Sequence, residues 1–168
     1  MSLSMYQASV PVFVRALDNL SNILTKAAAH AEQQKIEPSV LLGSRLYPNM
    51  FPLSRQIQIA TDLVNGGVAR LAGIERPVYE DNETRFEELL ARIQKTIEFA
   101  KSVAAEKIDG SEDKKINLTI GGHEMNFDGQ TYLLGFVIPN MYFHTATTYA
   151  ILRHNGVELG KRDFIGGI

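Results

Sequence analysis

Four long segments of the sequence carry apolar residues at intervals of three and four, the spacing that places side chains on one face of an α-helix. These segments cover roughly residues 3–30, 53–72, 84–104 and 130–155. The third gives the clearest signal, with an apolar stripe formed by Phe86, Leu89, Leu90, Ile93, Ile97, Ala100 and Ala104. An antiparallel four-helix bundle is the simplest packing of four such helices, so we predict an all-α fold in one domain over residues 1–168.

Prolines and glycines punctuate the first two helices. Pro11 either kinks the first helix or marks its regular start, and that helix is expected to end near residue 30. Pro52 suits the first turn of the second helix, and Gly73 suits its end. Gly66 and Gly67 lie inside the second helix, where each costs about 1 kcal/mol relative to alanine. We infer that the backbone of a neighbouring element approaches closely at these two glycines.

A small β-hairpin is predicted between the third and fourth helices. Apolar and polar residues alternate from residue 116 to residue 120, and Gly121 and Gly122 follow as a turn. A two-stranded hairpin is marginally stable alone, so it should pack against the helices. The last helix begins near residue 130, and Pro139 is either a kink within it or a break between two helices.

The composition excludes several classes of site. The chain has no cysteine, which rules out disulfides, thiolate-bound zinc, iron–sulfur clusters and cysteine nucleophiles. The net charge of −2 provides no electrostatic drive towards nucleic acid or an anionic membrane. Zinc-protease, phosphate-loop and nucleophile-elbow motifs are absent, as are a secretory signal and any run of ~18 apolar residues. We therefore expect a cytoplasmic protein with no nucleic-acid or membrane partner.

The last helix carries an unusual polar stripe. At 100° per residue, one face collects Asn140, His144, Thr147, Ile151 and His154 within about 80° of one another. The preceding turns are apolar on the face that this stripe continues, so we predict that it leans towards the bundle interior. Buried polar side chains must find partners, because an unpaired polar group costs free energy when it leaves water.

Two interpretations of this polar stripe stay open. In the first, His144 is the centre of a pocket at the open end of the bundle, where an imidazole can ligate a metal or move protons. In the second, His144 is bonded within a polar core and fixes the helix register. Gln56, at the edge of the second helix's apolar face, is the predicted neighbour in either case. His154 lies about 15 Å away along the helix, too far to share a metal ion with His144.

Two further features of the helices have ordinary explanations. A second stripe on the last helix either packs against a neighbouring helix or the C-terminal tail, or forms a dimer contact. That stripe consists of Tyr142, Ala146, Tyr149 and Arg153. Asp62 lies opposite the apolar face of its helix and is predicted to be a solvated surface charge.

Two motifs resemble those of an uncharacterised bacterial family in the DinB/YfiT-like superfamily of predicted metalloenzymes. The run from Pro139 to Val157, followed by Gly160 to Phe164, is similar to the signature end of that family. The connector from Tyr47 to Leu53 is similar to its second recurring motif. The resemblance implies a four-helix bundle that is often dimeric. In many members three histidines bind a divalent metal, one from the second helix and two, four residues apart, from the last helix; some members are thiol-dependent transferases.

The metal ligands carry over only in part. His144 matches the first histidine of the pair in the last helix, but Thr148 stands at the position four residues later. Gln56 is the nearest candidate for the ligand from the second helix. Threonine and glutamine are weak ligands for nickel, zinc or iron, so a divalent metal on His144 is left open but disfavoured.

The sequence therefore favours a homodimeric bundle that binds a small ligand and has a degenerate metal site. Its predicted pocket is formed by Gln56, Asn140, His144, Thr147, Thr148 and His154. Two alternatives stay open: a metal- or thiol-dependent transferase or hydrolase, and a dimeric structural protein without a catalytic site. Whether the protein is an enzyme is not decided by its sequence.

Overall fold

The computed structural model describes residues 3–167 and shows the predicted four-helix bundle with a small antiparallel hairpin. In chain order, its elements are α1 (Met5–Gln34), α2 (Pro38–Leu42), α3 (Leu53–Ala72), α4 (Phe86–Ser102), α5 (Ala105–Ile108), β1 (Lys115–Ile120), β2 (His123–Asp128), α6 (Gly129–Thr131), a π-helical segment (Tyr132–Val137), α7 (Ile138–His154) and α8 (Lys161–Ile165). Helix α1 packs on α4, α4 on α3, α3 on α7, and α7 on α1, which encloses an apolar core. Within this described range, no helix combines the length and hydropathy needed to cross a bilayer.

Helix α1 is longer than the sequence predicted. It starts after Ser4, whose side chain and backbone exchange hydrogen bonds with Gln7 in a capping box. The helix runs through Pro11 without ending, and so begins six residues before that proline. It stops at Gln34, beyond the predicted end near residue 30, because Lys35 adopts a left-handed conformation with φ of 55°.

Helix α3 ends where predicted, at Gly73, which takes the left-handed conformation with φ of 71°. The two glycines inside the helix do not face a neighbouring backbone, so that inference was wrong. A Cβ atom on Gly67 would lie 2.9 Å from the Cγ1 atom of Val137, which is a side chain of the π-helical segment. A Cβ atom on Gly66 would overlap the Nη1 atom of Arg70 on the same helix. Side-chain packing, rather than backbone contact, explains both glycines.

The β-hairpin closes through a two-glycine turn, as predicted. Gly121 and Gly122 have φ angles of 57° and 83°, which glycine adopts without steric cost. The hairpin packs on the helices through the buried side chain of Ile116. On the facing strand, the ring of Phe127 lies 5.8 Å from that of Tyr132 at the start of the π-helical segment. These contacts supply the support that a two-stranded hairpin needs.

Pro139 neither ends the last helix nor splits it. The chain passes from α6 through the π-helical segment directly into α7, and Pro139 lies in the first turn of α7. Proline has no N–H group and clashes with the carbonyl four residues earlier. The wider π-helical turn just before it accommodates this defect, as such turns do within α-helices.

The tail of the chain packs against the two tyrosines of the second stripe of α7. Phe164 on α8 packs its ring against Tyr149 at 6.0 Å and against Tyr142 at 6.5 Å. The Asn19 side chain of α1 donates a hydrogen bond to the Phe164 carbonyl at 3.0 Å, which holds the tail in place. Of the two interpretations, the structure therefore supports packing against the tail for this part of the stripe.

Candidate functional site

His144 and Gln56 meet across the bundle between α7 and α3. The Nδ1 atom of His144 lies 2.7 Å from the Oε1 atom of Gln56. The Nε2 atom of Gln56 donates to the carbonyl of Phe51 at 3.0 Å. Because the amide nitrogen serves as that donor, the amide oxygen must accept from the imidazole. His144 therefore carries its proton on Nδ1 and a lone pair on Nε2. We refer to these two side chains as the histidine–glutamine pair.

The surroundings keep this imidazole neutral near pH 7. Burial lowers the pKa of His144, whose exposed fraction is 9%, and the positive charge of the nearby Arg55 lowers it further. The ring of Phe143 meets the imidazole edge-on, with 5.2 Å between the ring centres. Among residues 3–167, only Nδ1 has a hydrogen-bond partner, so Nε2 is free to accept a hydrogen bond from another molecule.

The other predicted pocket residues do not converge on this pair. The hydroxyls of Thr147 and Thr148 donate to carbonyls four residues earlier on α7, at 2.7 Å and 3.0 Å. The Asn140 amide donates at 2.7 Å to the carbonyl of Phe136, four residues earlier in the π-helical segment. His154 is exposed at the C-terminal end of α7. The three buried or half-buried side chains are thus satisfied by their own helix, which is the usual outcome for Thr and Asn inside a helix.

The polar stripe lies at the edge of the buried face of α7 rather than at its centre. The centre is occupied by Met141, Thr145, Thr148 and Leu152, which are all fully or almost fully buried. The stripe therefore leans inward, as predicted, but its two ends at residues 140 and 154 are half-buried and exposed.

A buried arginine on α4 organises an ion cluster that the sequence analysis did not find. The side chain of Arg92 is only 2% exposed. It pairs with the carboxylates of Asp62 at 2.9 Å, Glu83 at 2.9 Å and Asp81 at 3.0 Å. Its Nε atom donates to the Thr61 hydroxyl at 2.7 Å. Burial acts to lower the pKa of Arg92, but the hydrogen bond with Glu83 and the surrounding negative charges outweigh it, so this pKa is raised.

Asp62 is thus not a free surface charge, and that prediction was wrong. Burial raises the pKa of Asp62, while the charge of Arg92 opposes the shift. The helical wheel of α3 shows where Asp62 points, but it cannot show that α4 presents a cation there. One signal was available: Arg92 stands beside Leu89 and Ile93, inside the apolar stripe of α4, where an unpaired charge would be costly.

Arg55 connects this ion cluster to the histidine–glutamine pair. Its guanidinium contacts the Asp81 carboxylate and donates to the Gln58 amide oxygen at 3.3 Å. The Gln58 amide in turn donates to Glu83 at 2.8 Å. Arg55 precedes Gln56 in α3, and its charge acts on the imidazole as described above. A change of charge in the ion cluster therefore alters the electrostatic potential at the histidine–glutamine pair through Arg55.

The donor set does not fit the three-histidine metal centre that the superfamily resemblance implies. Across residues 3–167, no three or more His, Cys, Asp or Glu side chains are grouped closely enough to hold an ion. The Nδ1 atom of His144 is used by Gln56, and the buried Thr148 hydroxyl donates to its own helix. The two positions that would complete the centre therefore bond to the protein itself.

Five surface cavities along residues 3–167 are lined by residues other than the histidine–glutamine pair. The predicted pocket around His144 is not among them. Contact with a ligand would have to be made through the small exposed part of the imidazole and the neighbouring Phe143, which is 56% exposed.

Comparison with known proteins relates this chain to a protein family and to a solved structure. The model of a domain of unknown function, DUF1993, matches residues 5–165. The crystal structure of a DinB family member from Shewanella denitrificans is similar, with 38% sequence identity and a TM-score of 0.87. That similarity covers 97% of this chain and 92% of the other. No curated protein matches this chain.

Proposed function

Because this chain belongs to the DUF1993 family of DinB-like proteins, we propose that it is a helical bundle whose metal site has degenerated and which binds a small ligand at His144. The observation that carries this proposal is the 2.7 Å hydrogen bond between His144 and Gln56. This bond joins the side chains at two of the positions where the superfamily resemblance would place metal ligands. It also fixes the imidazole in a single tautomer with an unused acceptor nitrogen.

The geometry limits what such a ligand can be. A neutral imidazole whose Nε2 atom holds a lone pair accepts a hydrogen bond, so the ligand must donate one from a hydroxyl, amide or amine group. Phe143 is exposed beside the imidazole, and Phe51, which is linked to Gln56, is 55% exposed. The exposed ring of Phe143 supports an aromatic or apolar body next to the donor group.

The proposal is tested by ligand-observed NMR with a library of small neutral fragments that carry hydroxyl or amide groups. Fragments that bind the wild-type protein should lose binding to the His144→Ala variant. The matched control is His154→Ala, which removes an exposed histidine from the same helix and should leave binding unchanged. A library in which no binder distinguishes the two variants would contradict the proposal.

Elemental analysis of the same proteins separates this proposal from the metalloenzyme alternative. We expect wild-type protein and His144→Ala to contain the same substoichiometric amounts of nickel, zinc and iron. One equivalent of metal in the wild type that disappears in His144→Ala, but stays in His154→Ala, would favour a metal-dependent transferase or hydrolase instead.

We further propose that the protein is a cytoplasmic homodimer, as expected from its resemblance to a family that is often dimeric and from its sequence. The tail packs against the tyrosines of the second stripe of α7, which leaves less of that stripe for a dimer contact. Exposed apolar side chains at Leu46, Tyr47 and Phe51 offer another surface for such a contact. Light scattering coupled to gel filtration should give twice the monomer mass of 18.7 kDa, and the monomer mass would refute the dimer.

A further inference from the structure

A cleft of about 510 Å³ lies between α3, the hairpin and the π-helical segment. Its polar lining includes three arginines and one tyrosine hydroxyl group: Arg55, Arg70, Arg76 and Tyr132. Its apolar lining is formed by Ile59, Leu63, Leu118, Ile120 and Phe136. The cleft is separate from the histidine–glutamine pair, although Arg55 lies near both.

Among residues 3–167, two of the three arginines form no direct ion pair, although the charge of Arg76 acts on the Asp62 carboxylate at longer range. Arg55 contacts Asp81, and the one carboxylate that lines the cleft, Asp62, pairs with Arg92. In the part of the chain that the structure describes, no carboxylate lies within 4.0 Å of Arg70 or Arg76. Positive charge in a concave site with apolar walls attracts anions more strongly than the same charge on an open surface.

The donors of the cleft converge on one region of α3. The Nη1 atom of Arg70 lies over Gly66, where the missing side chain leaves room for it, and the Cδ atom of Arg76 lies 3.7 Å from the same point. Arg70 also donates to the hydroxyl oxygen of Tyr132 at 3.1 Å. The absence of a side chain at Gly66 thus leaves room for the Arg70 guanidinium beside the aliphatic part of the Arg76 side chain.

Tyr132 adds an unused donor at the same place. Its side chain is 1% exposed, and among residues 3–167 its hydroxyl oxygen accepts from Arg70 while its proton has no acceptor. Burial raises the pKa of Tyr132, with the charge of Arg70 opposing the shift, so the phenol keeps this proton at neutral pH. A buried hydroxyl proton without an acceptor is uncommon and indicates that a ligand or solvent completes the site.

We propose that this cleft binds a small organic anion whose oxyanion group accepts hydrogen bonds from Arg70, Arg76 and the Tyr132 hydroxyl. Guanidinium groups suit this task because their forked N–H donors match the oxygens of phosphate and carboxylate groups. The apolar walls hold the body of the molecule, and Phe136, whose ring stacks on Tyr132 at 5.8 Å, forms one of them. This inference does not depend on the function proposed for His144.

Isothermal titration calorimetry with phenyl phosphate and with benzoate tests this inference, because the two probes share an aromatic body and differ in the oxyanion. At least one of them should bind wild-type protein with a stoichiometry of one. Inorganic phosphate should bind at least about tenfold more weakly than phenyl phosphate, because it cannot use the apolar walls. Phenol, which has the body without the anion, should not bind. Equal binding of phenol and phenyl phosphate would overturn the inference.

Variants locate the binding in the cleft. Arg76→Gln and Arg70→Gln should each raise the dissociation constant about tenfold or more, as expected for loss of a charge-assisted hydrogen bond. Arg76 is exposed, so its variant should fold even if the Arg70 variant does not. Arg153→Gln is the matched control, since Arg153 is an exposed arginine outside the cleft. An equal loss in Arg153→Gln, or retention of full affinity in Arg76→Gln, would overturn the inference.

A failure of this inference can be told apart from a failure of the proposed function. His144→Ala should bind phenyl phosphate or benzoate with unchanged affinity, while losing the neutral fragments that bind at the imidazole. If His144→Ala loses the anion as well and Arg76→Gln does not, the anion binds at the histidine–glutamine pair and the cleft assignment is wrong.

Discussion

The hydrogen bond between His144 and Gln56 makes a quantitative prediction about stability. In Gln56→Leu, the buried Nδ1–H group of His144 loses its acceptor and the Phe51 carbonyl loses a donor. An unsatisfied buried polar group costs about 1–3 kcal/mol, and the half-buried carbonyl can be partly rehydrated. We therefore expect Gln56→Leu to lower the free energy of unfolding by about 2 kcal/mol. For a domain of this size, the melting temperature should then fall by about 4–8 °C.

A double-mutant cycle isolates the pairwise contribution of this bond. His144→Leu alone should also cost about 2 kcal/mol, because it leaves the Gln56 amide oxygen unpaired in a buried site. Replacing both partners with apolar side chains removes both unsatisfied groups, so Gln56→Leu with His144→Leu should cost less than the sum of the single changes. We expect a coupling energy of at least about 1 kcal/mol.

Urea unfolding followed by circular dichroism at pH 7.5 measures these quantities. Gln94→Leu is a matched control, because Gln94 is an exposed helical glutamine whose one side-chain partner among residues 3–167 is Glu98, one turn away. It should change the unfolding free energy by no more than about 0.5 kcal/mol. The reasoning is refuted if the double variant loses as much stability as the two single variants together, since the bond would then contribute nothing of its own.

Four further predictions concern stability elsewhere or under other conditions. Burial lowers the pKa of His144 below its unfolded value of about 6.5, so the unfolded chain takes up a proton first as the pH falls. Wild-type protein should therefore lose stability relative to His144→Leu between pH 7.5 and 5.5, as measured by urea titrations. Asn65 is fully buried with no partner for either polar atom of its amide among the described residues, so Asn65→Leu should raise the unfolding free energy by about 1 kcal/mol or more. A Cβ atom on Gly129 would overlap the Ser111 carbonyl oxygen, so Gly129→Ala should lower the melting temperature by about 5 °C or more in thermal scans. Arg92→Met leaves three carboxylates facing one another, so it should cost about 3–5 kcal/mol in urea unfolding, and a loss below 1 kcal/mol would contradict the assigned role of the ion cluster.

The sequence predicts the helices well, because their signals are local. The end of α3 at Gly73 depends only on the conformation that glycine adopts, and the hairpin turn at Gly121 and Gly122 has the same local origin. The direction in which His144 leans also follows from helical periodicity alone. Such features can be read from one segment of chain without knowing what surrounds it.

The contents of the candidate site depend on other segments and were predicted less well. The wheel placed Thr147 and Asn140 on one face, but it could not show that both bond to their own helix. It placed Asp62 on the outside of α3, where Arg92 of α4 covers it. The arginine cleft needs Arg70 and Arg76 to fold back over Gly66, which no periodicity describes. Each missed feature involves a contact between side chains from separate turns or elements.

The π-helical segment at residues 132–137 has a consequence for comparing this chain with its relatives. A π-turn is equivalent to one additional residue in an α-helix, and one residue corresponds to a rotation of 100° and a rise of 1.5 Å. A relative with a regular α-helix here would need a one-residue gap when the two sequences are superposed. If that gap is placed wrongly, Phe143 or Thr145 is matched with the ligand position of the relative instead of His144. Assignments of function to other members of the family therefore have to be made on superposed backbones through this turn.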